Sequence, residues 1–206
     1  MGSSKFSPVR LYRLLAEYWS FLKVTRADEI ARRYFVMNSF DGALTVLGIV
    51  LGAYAAGVRR PEIILSAVLG ASLAMGLSGV WGAYMAEKAE RTRELKELEA
   101  ALFTNLKGTR LHRASIATIF WLAVVDGLSP VAVALISATP FVFCSLGFCS
   151  FMLSLYLTLT LTILVLFTLG VFLGRISKEN LLVNGLKMVS AGGIIAFILL
   201  MAEILL

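Results

Sequence analysis

A chain of 206 residues that is 59% hydrophobic, with a mean hydropathy of +0.86, is far more apolar than a water-soluble domain. Several of its apolar runs reach the ~20 residues needed to cross a bilayer as a helix, and without period-2 alternation they exclude barrel strands. The net charge of +6 then reports membrane topology rather than nucleic-acid binding. The expected fold class is all-α: a polytopic membrane protein with five transmembrane helices, an N-terminal amphipathic helix and a cytoplasmic extension of the second span. No cleavable signal is expected, because the N-terminus is polar and basic and the first apolar span starts late.

Residues 1–33 read as a cytoplasmic amphipathic segment. Leu11, Leu14, Leu15, Tyr18, Phe21 and Leu22 fall at helical spacing within residues 8–23, with Arg10, Arg13 and Lys23 off that stripe. The pattern suits either a helix on an anionic membrane surface or one packed on the protein's own face. Asp28 is a plausible cap for the next helix. Residues 34–206 form the membrane domain, with spans at about 34–57, 61–86, 115–143, 151–173 and 185–206.

The first span carries a carboxylate, Asp41, roughly two turns in. An acid at that depth costs several kcal/mol unless it is paired, hydrated or cation-bound, so it is a functional candidate. Met37 and Thr45, four residues to either side, share its face. Thioether, carboxylate and hydroxyl in one stripe suit Fe²⁺ or Mn²⁺ better than Mg²⁺ or Ca²⁺. The competing reading makes Asp41 a structural bond to another helix and Met37 a core side chain. The second span is rich in small residues, with Gly76, Gly79 and Gly82 at spacings that let helices approach closely in lipid, and Met75 and Met85 near the same stripe.

Beyond Ala86 a charged helix of about residues 87–112 places Glu87, Glu90, Glu94 and Glu97 on one face. Such a face can collect divalent cations at a pore mouth. It can equally be a solvated helix in which Glu87 pairs with Arg91, Glu90 with Arg93, and Arg93 with Glu97. The third span holds a second intramembrane acid, Asp126. Its setting, Asp126-Gly127-Leu128-Ser129-Pro130, resembles Asp41-Gly42-Ala43-Leu44-Thr45. Pro130 and Pro140 are expected to kink or end that helix. His112, the sole histidine, suits a surface position near headgroups. Cys144 and Cys149 flank a short loop and are open to a disulfide or to two free thiols.

Basic residues crowd before the first span, between the second and third, and around the fourth connection, whereas the opposite side holds only Arg59 and Arg60. The expected orientation puts the N-terminus and the glutamate helix in the cytoplasm and the C-terminus outside, with the plasma membrane as the location if the source cell is prokaryotic.

Arg33 through Gly57, with its Asp41-Gly42-Ala43-Leu44-Thr45 core, and Gly82-Ala83-Tyr84-Met85-Ala86-Glu87-Lys88-Ala89-Glu90 resemble the vacuolar iron transporters and their prokaryotic relatives. The resemblance covers roughly a third of the chain; the later spans match in layout. It implies a homodimer that moves Fe²⁺, or Mn²⁺, out of the cytosol in exchange for protons, along a path between the first two helices of each protomer. It makes Asp41 the membrane acid and likens Glu87, Glu90, Glu94 and Glu97 to the first part of the family's cytoplasmic metal-binding helix; Met37, Met75 and Asp126 are further candidate metal contacts read from their positions in the spans. The family's second-helix glutamate and methionine fall here on small residues, with Met75 a turn away, and its further cytoplasmic helices have no counterpart. The expected partners are therefore the transported metal ion, the lipid bilayer and a second copy, with no resident cofactor and no nucleic acid. Two other classes stay open: a helical scaffold or partner subunit, and an exporter of organic cations using Phe40 and Trp81. No nucleophile with a base, histidine pair or phosphate loop points to an enzyme.

Overall fold

The computed structural model describes residues 26–205, and the regular structure among them is helical. The helices are α1 (Ala27–Ala55), α2 (Pro61–Leu102), α3 (Arg110–Ser145), α4 (Phe151–Ser177) and α5 (Leu181–Leu205). Each contains a stretch long and apolar enough to cross a membrane, so the chain is a multi-pass helical membrane protein. The amphipathic helix expected at residues 8–23 lies outside the described residues.

Helix boundaries follow local chemistry. α1 begins at Ala27, ahead of the apolar run. Asp28 lies within its first turn rather than before it, where its charge complements the helix dipole and pairs with Arg32 at 3.6 Å. α1 ends at Ala55, and the turn beyond it places Gly57 at a φ of +76°, which only glycine adopts without strain. The Gly57 and Val58 N–H groups donate back to the Tyr54 and Ala53 carbonyls at 3.0 and 2.9 Å, closing the last turn. The Arg59 guanidinium folds over the Tyr54 ring at 4.1 Å and secures the short link to α2.

α2 has 42 residues and is therefore ~63 Å long, about twice the apolar thickness of a bilayer. The extension expected of the second span is thus a direct continuation of one helix, ending at Leu102. A turn stapled by Glu99, whose Oε1 accepts the Leu106 N–H at 2.8 Å, separates it from α3. Thr109 caps α3, accepting the His112 N–H at 3.3 Å. α3 continues through Pro130 and Pro140 to Ser145, so neither proline ends it. Neighbouring helices make such interruptions tolerable in membrane helices. Cys144 and Cys149 are free thiols, and Cys149 Sγ sits 3.0 Å from the Ser154 hydroxyl.

The contacts divide the chain into two units. One comprises Gly79–Asp126 and residues 26–34; the other comprises Phe35–Ser78 and Gly127–Leu206. The second unit holds the main core, in which Val46 and Val50 of α1, Ile64 and Val68 of α2, Phe141 of α3 and Leu155 of α4 are buried together. A smaller cluster joins Ala43, Val133 and Leu166.

The tightest approach of α1 to α3 occurs at Gly42. A Cβ there would lie 2.5 Å from the Pro130 carbonyl oxygen and 2.9 Å from its Cα. On α2, a Cβ at Gly76 would meet Val131 at 2.6 Å and the Gly127 carbonyl at 3.1 Å. Two small residues therefore let both helices seat on the same turn of α3. Gly42→Ala is expected to destabilise the protein by about 1–3 kcal/mol, since backbone cannot move aside cheaply. Gly193→Ala, where an added Cβ meets nothing within 4 Å, is the matched control and is expected to be neutral or stabilising. Thermal unfolding of the two variants in detergent checks this; equal midpoints would refute the close-packing account.

Candidate functional site

Two polar sites arise from these packing constraints, one in each unit. In the larger unit, the inward face of α1 is set by Val36, Ser39, Gly42, Ala43, Val46 and Val50, all buried. Their 3–4 spacing leaves Met37 and Asp41 on the opposite face, both exposed, with Met37 at 59%. Asp41 stands at the midpoint of the 29-residue helix and has no hydrogen-bond or ion-pair partner among the described residues. Thr45, one turn on, is half-buried and donates its hydroxyl to the Met75 sulfur of α2 at 3.4 Å. The face Met37–Asp41–Thr45 therefore exists as a stripe, and Met75 adjoins its far end through Thr45.

The second site, in the smaller unit, centres on Glu87. Its side chain is about nine-tenths buried, and its Oε1 accepts the Tyr34 hydroxyl of α1 at 2.9 Å. Its Oε2 faces Arg91 Nε at 3.6 Å, and Arg91 is itself buried and donates through Nη1 to Glu94 at 3.0 Å. Asp126 of α3 lies within electrostatic range of Tyr34. Tyr34 is the residue that sequence reasoning passed over. Only the fold brings it to a glutamate 53 positions away.

The remaining glutamates are engaged by arginine. Glu90 pairs with Arg93 at 2.7 Å, and Arg93 reaches Glu97 at 3.6 Å. All three ion pairs expected from the sequence are present. Among the described residues no three His, Cys, Asp or Glu side chains come close enough together to hold a metal ion. The eight candidate metal contacts thus fall into an outward stripe (Met37, Asp41, with Met75 adjoining), a compensated group at Glu87 with Asp126 in the same unit, and a salt-bridged row (Glu90, Glu94, Glu97).

This fold and these sites define a multi-pass membrane protein in which Glu87 is buried and compensated, and Asp41 at mid-helix has no partner among the described residues. The chain is 35% identical over 178 residues to a protein of Methanocaldococcus jannaschii named Uncharacterized protein MJ0645, a match covering 85% of this chain and 90% of that one. The chain belongs to the same family as that protein. No family model matches it, and no solved structure does.

Because Glu87 neutralises a guanidinium that is out of water, Glu87→Ala is expected to cost about 3–5 kcal/mol. Glu97→Ala, whose side chain is 70% exposed, is expected to cost at most about 1 kcal/mol. Unfolding of both variants in a denaturing detergent titration measures the difference. Equal losses would show that burial of the Glu87–Arg91 pair carries no energetic weight.

Proposed function

We propose that this protein moves a divalent transition metal ion, Fe²⁺ or Mn²⁺, out of the cytosol in exchange for protons, as a homodimer whose path follows the Asp41 face of α1. The observation that carries the reading is Asp41 itself: an exposed carboxylate without a partner among the described residues, at the midpoint of a helix apolar enough to span a membrane. Facing acyl chains, such a group costs at least about 2.5–3.5 kcal/mol, so the working protein must supply water, a cation or a second copy on that side. Met37 beside it and Met75 beyond Thr45 add soft donors to a hard one, a mixture that favours Fe²⁺ or Mn²⁺ over Mg²⁺. In this mechanism the ion sheds water to Asp41 of each protomer and to thioether sulfur, and protonation of the carboxylates from the far side releases it. The glutamate face adds to capture only where Glu90, Glu94 and Glu97 exchange arginine for the incoming cation. The basic residues flanking the spans support a cytoplasmic N-terminus, which gives the transport its outward direction.

The arginine pairing of the glutamate row favours a second reading, in which the protein is a non-transporting scaffold, the charged part of α2 is a docking surface and Asp41 is a bond between copies. Proteoliposomes with an imposed pH gradient separate the two. The expected result is gradient-dependent uptake of Fe²⁺ or Mn²⁺, little of Mg²⁺, and loss of at least about 90% of the flux in Asp41→Asn with the dimer intact. Full flux in that variant would sink the role of Asp41. An absence of flux for every ion, from folded dimeric protein, would establish the scaffold reading.

A further inference from the structure

A cavity of about 330 Å³ lies within the smaller unit, between the charged part of α2 and the first turns of α3. That is roughly eleven times the ≈30 Å³ that one water occupies in the liquid. Its polar wall consists of Lys88, Arg91 and Thr92 from α2 and His112 and Ser115 from α3; no carboxylate lines it. Its apolar side is made by Ile116, Ile119 and Phe120, with the Tyr84 ring packed 5.7 Å from that of Phe120. None of these residues belongs to the Asp41 stripe.

The wall is rich in donors and short of acceptors. Lys88 forms no ion pair among the described residues, and its ammonium rests 5.4 Å from the Tyr84 ring centroid. Arg91 is nine-tenths buried, and its Nε–H faces Glu87 Oε2 at 3.6 Å, beyond hydrogen-bond distance, and has no other acceptor among the described residues although the atom is out of solvent. A buried donor left in that state costs free energy, and native structures fill such positions with a protein group, water or ligand. The start of α3 adds the positive end of its dipole. Across residues 87–113 there are seven Lys and Arg against five Glu, so the wider field is also positive.

The position along α2 narrows the chemistry further. The apolar run ends at Ala86 and the charged run begins at Glu87, with Trp81 and Tyr84 marking the aromatic boundary. The cavity therefore stands where lipid headgroups meet acyl chains. Ile116 and Phe120 are 43% and 56% exposed, an apolar track leading away from the polar wall. A small inorganic anion would use the wall alone, whereas a phospholipid would use both.

We propose that this cavity binds a phosphate group, carried by an anionic phospholipid or free in solution. Lys88 supplies the charge; His112, Thr92 and Ser115 supply hydrogen bonds; and Arg91 holds the wall. The test uses the full chain in detergent and measures thermal midpoint and lipid retention by native mass spectrometry. Three additions are compared: phosphatidylglycerol, a galactolipid that lacks phosphate, and inorganic phosphate. Phosphatidylglycerol is expected to be retained and to raise the midpoint, and the galactolipid to do neither. Lys88→Glu and His112→Ala are each expected to weaken that retention, Lys88→Glu by at least about fivefold, the worth of one lysine at an anionic surface. Lys88 is exposed, so Lys88→Gln serves as a folding control with an unchanged lipid-free midpoint. Stabilisation by inorganic phosphate that both variants abolish would assign the site to a soluble phosphate. Equal retention of the galactolipid, or phosphate and lipid effects indifferent to both variants, would overturn the proposal.

Discussion

The backbone contact between Gly42 of α1 and Pro130 of α3 is the constraint on which the candidate membrane site depends. A helix places successive side chains about 100° apart, so fixing Gly42 against α3 fixes where its neighbours lie. Ala43, Val46 and Val50 then enter the core, and Asp41 and Met37 are left on the outer side. A larger residue at position 42 would push α1 away from Pro130 and release that orientation. The two Asp-Gly stretches of the sequence are linked by the same contact, since Pro130 ends the second of them and Gly42 lies in the first. Gly76 does for α2 what Gly42 does for α1, and brings Met75 to the side where Thr45 can reach its sulfur.

The protein treats its acids in two ways. Glu87 is withdrawn from solvent but given a phenol donor and a guanidinium, and Arg91 is shared with Glu94. Such an arrangement resists separation, because removing either partner strands a buried charge. Asp41 receives no such compensation within the described chain. Glu90 and Glu97 occupy a third condition: they are paired with Arg93 at the surface, where each pair contributes about 0.3–0.5 kcal/mol and exchanges readily with solvent ions. The four glutamates that look equivalent along one helical face are therefore unequal, because one of them meets a second helix.

How much of this was legible in the sequence follows from the range of each interaction. The five helices were legible because hydropathy and length are local properties. The Met37–Asp41–Thr45 stripe and the Arg–Glu pairs of α2 were legible because residues three or four apart on a helix share a face whatever surrounds them. The direction in which the stripe points was not, since it depends on Gly42 meeting a proline 88 positions away. The burial of Glu87 was illegible for the same reason, as it requires Tyr34 from another helix. The end of the charged helix was misjudged by about ten residues. The weak helix formers Thr104, Asn105 and Gly108 mark the break, which Glu99 closes by folding back to the Leu106 amide. The prolines of α3, expected to kink or end it, do not end it, because packing with neighbouring helices makes such interruptions tolerable.

On the proposed reading, the energetics of an acid without a partner among the described residues distinguish a path from a scaffold. A carboxylate used only to join two copies is best satisfied by a permanent donor, and Glu87 with Tyr34 and Arg91 illustrates how this chain builds such a bond. Among the described residues Asp41 has no donor, and Met37, a thioether one turn away, shares its exposed face. A carboxylate that must hold a cation in one step and a proton in the next needs that freedom, because a fixed arginine or tyrosine would compete with both. On the proposed reading, the lack of a partner at Asp41 is thus what the exchange requires, and the cost of about 2.5–3.5 kcal/mol for an isolated acid is met by whichever ion occupies it. The scaffold reading must supply a donor from the second copy, since the neighbours that share the Asp41 face are the thioether of Met37 and the hydroxyl of Thr45, which is already donated to Met75. On the proposed reading, that difference in donors is what distinguishes an exchange site from a fixed bond.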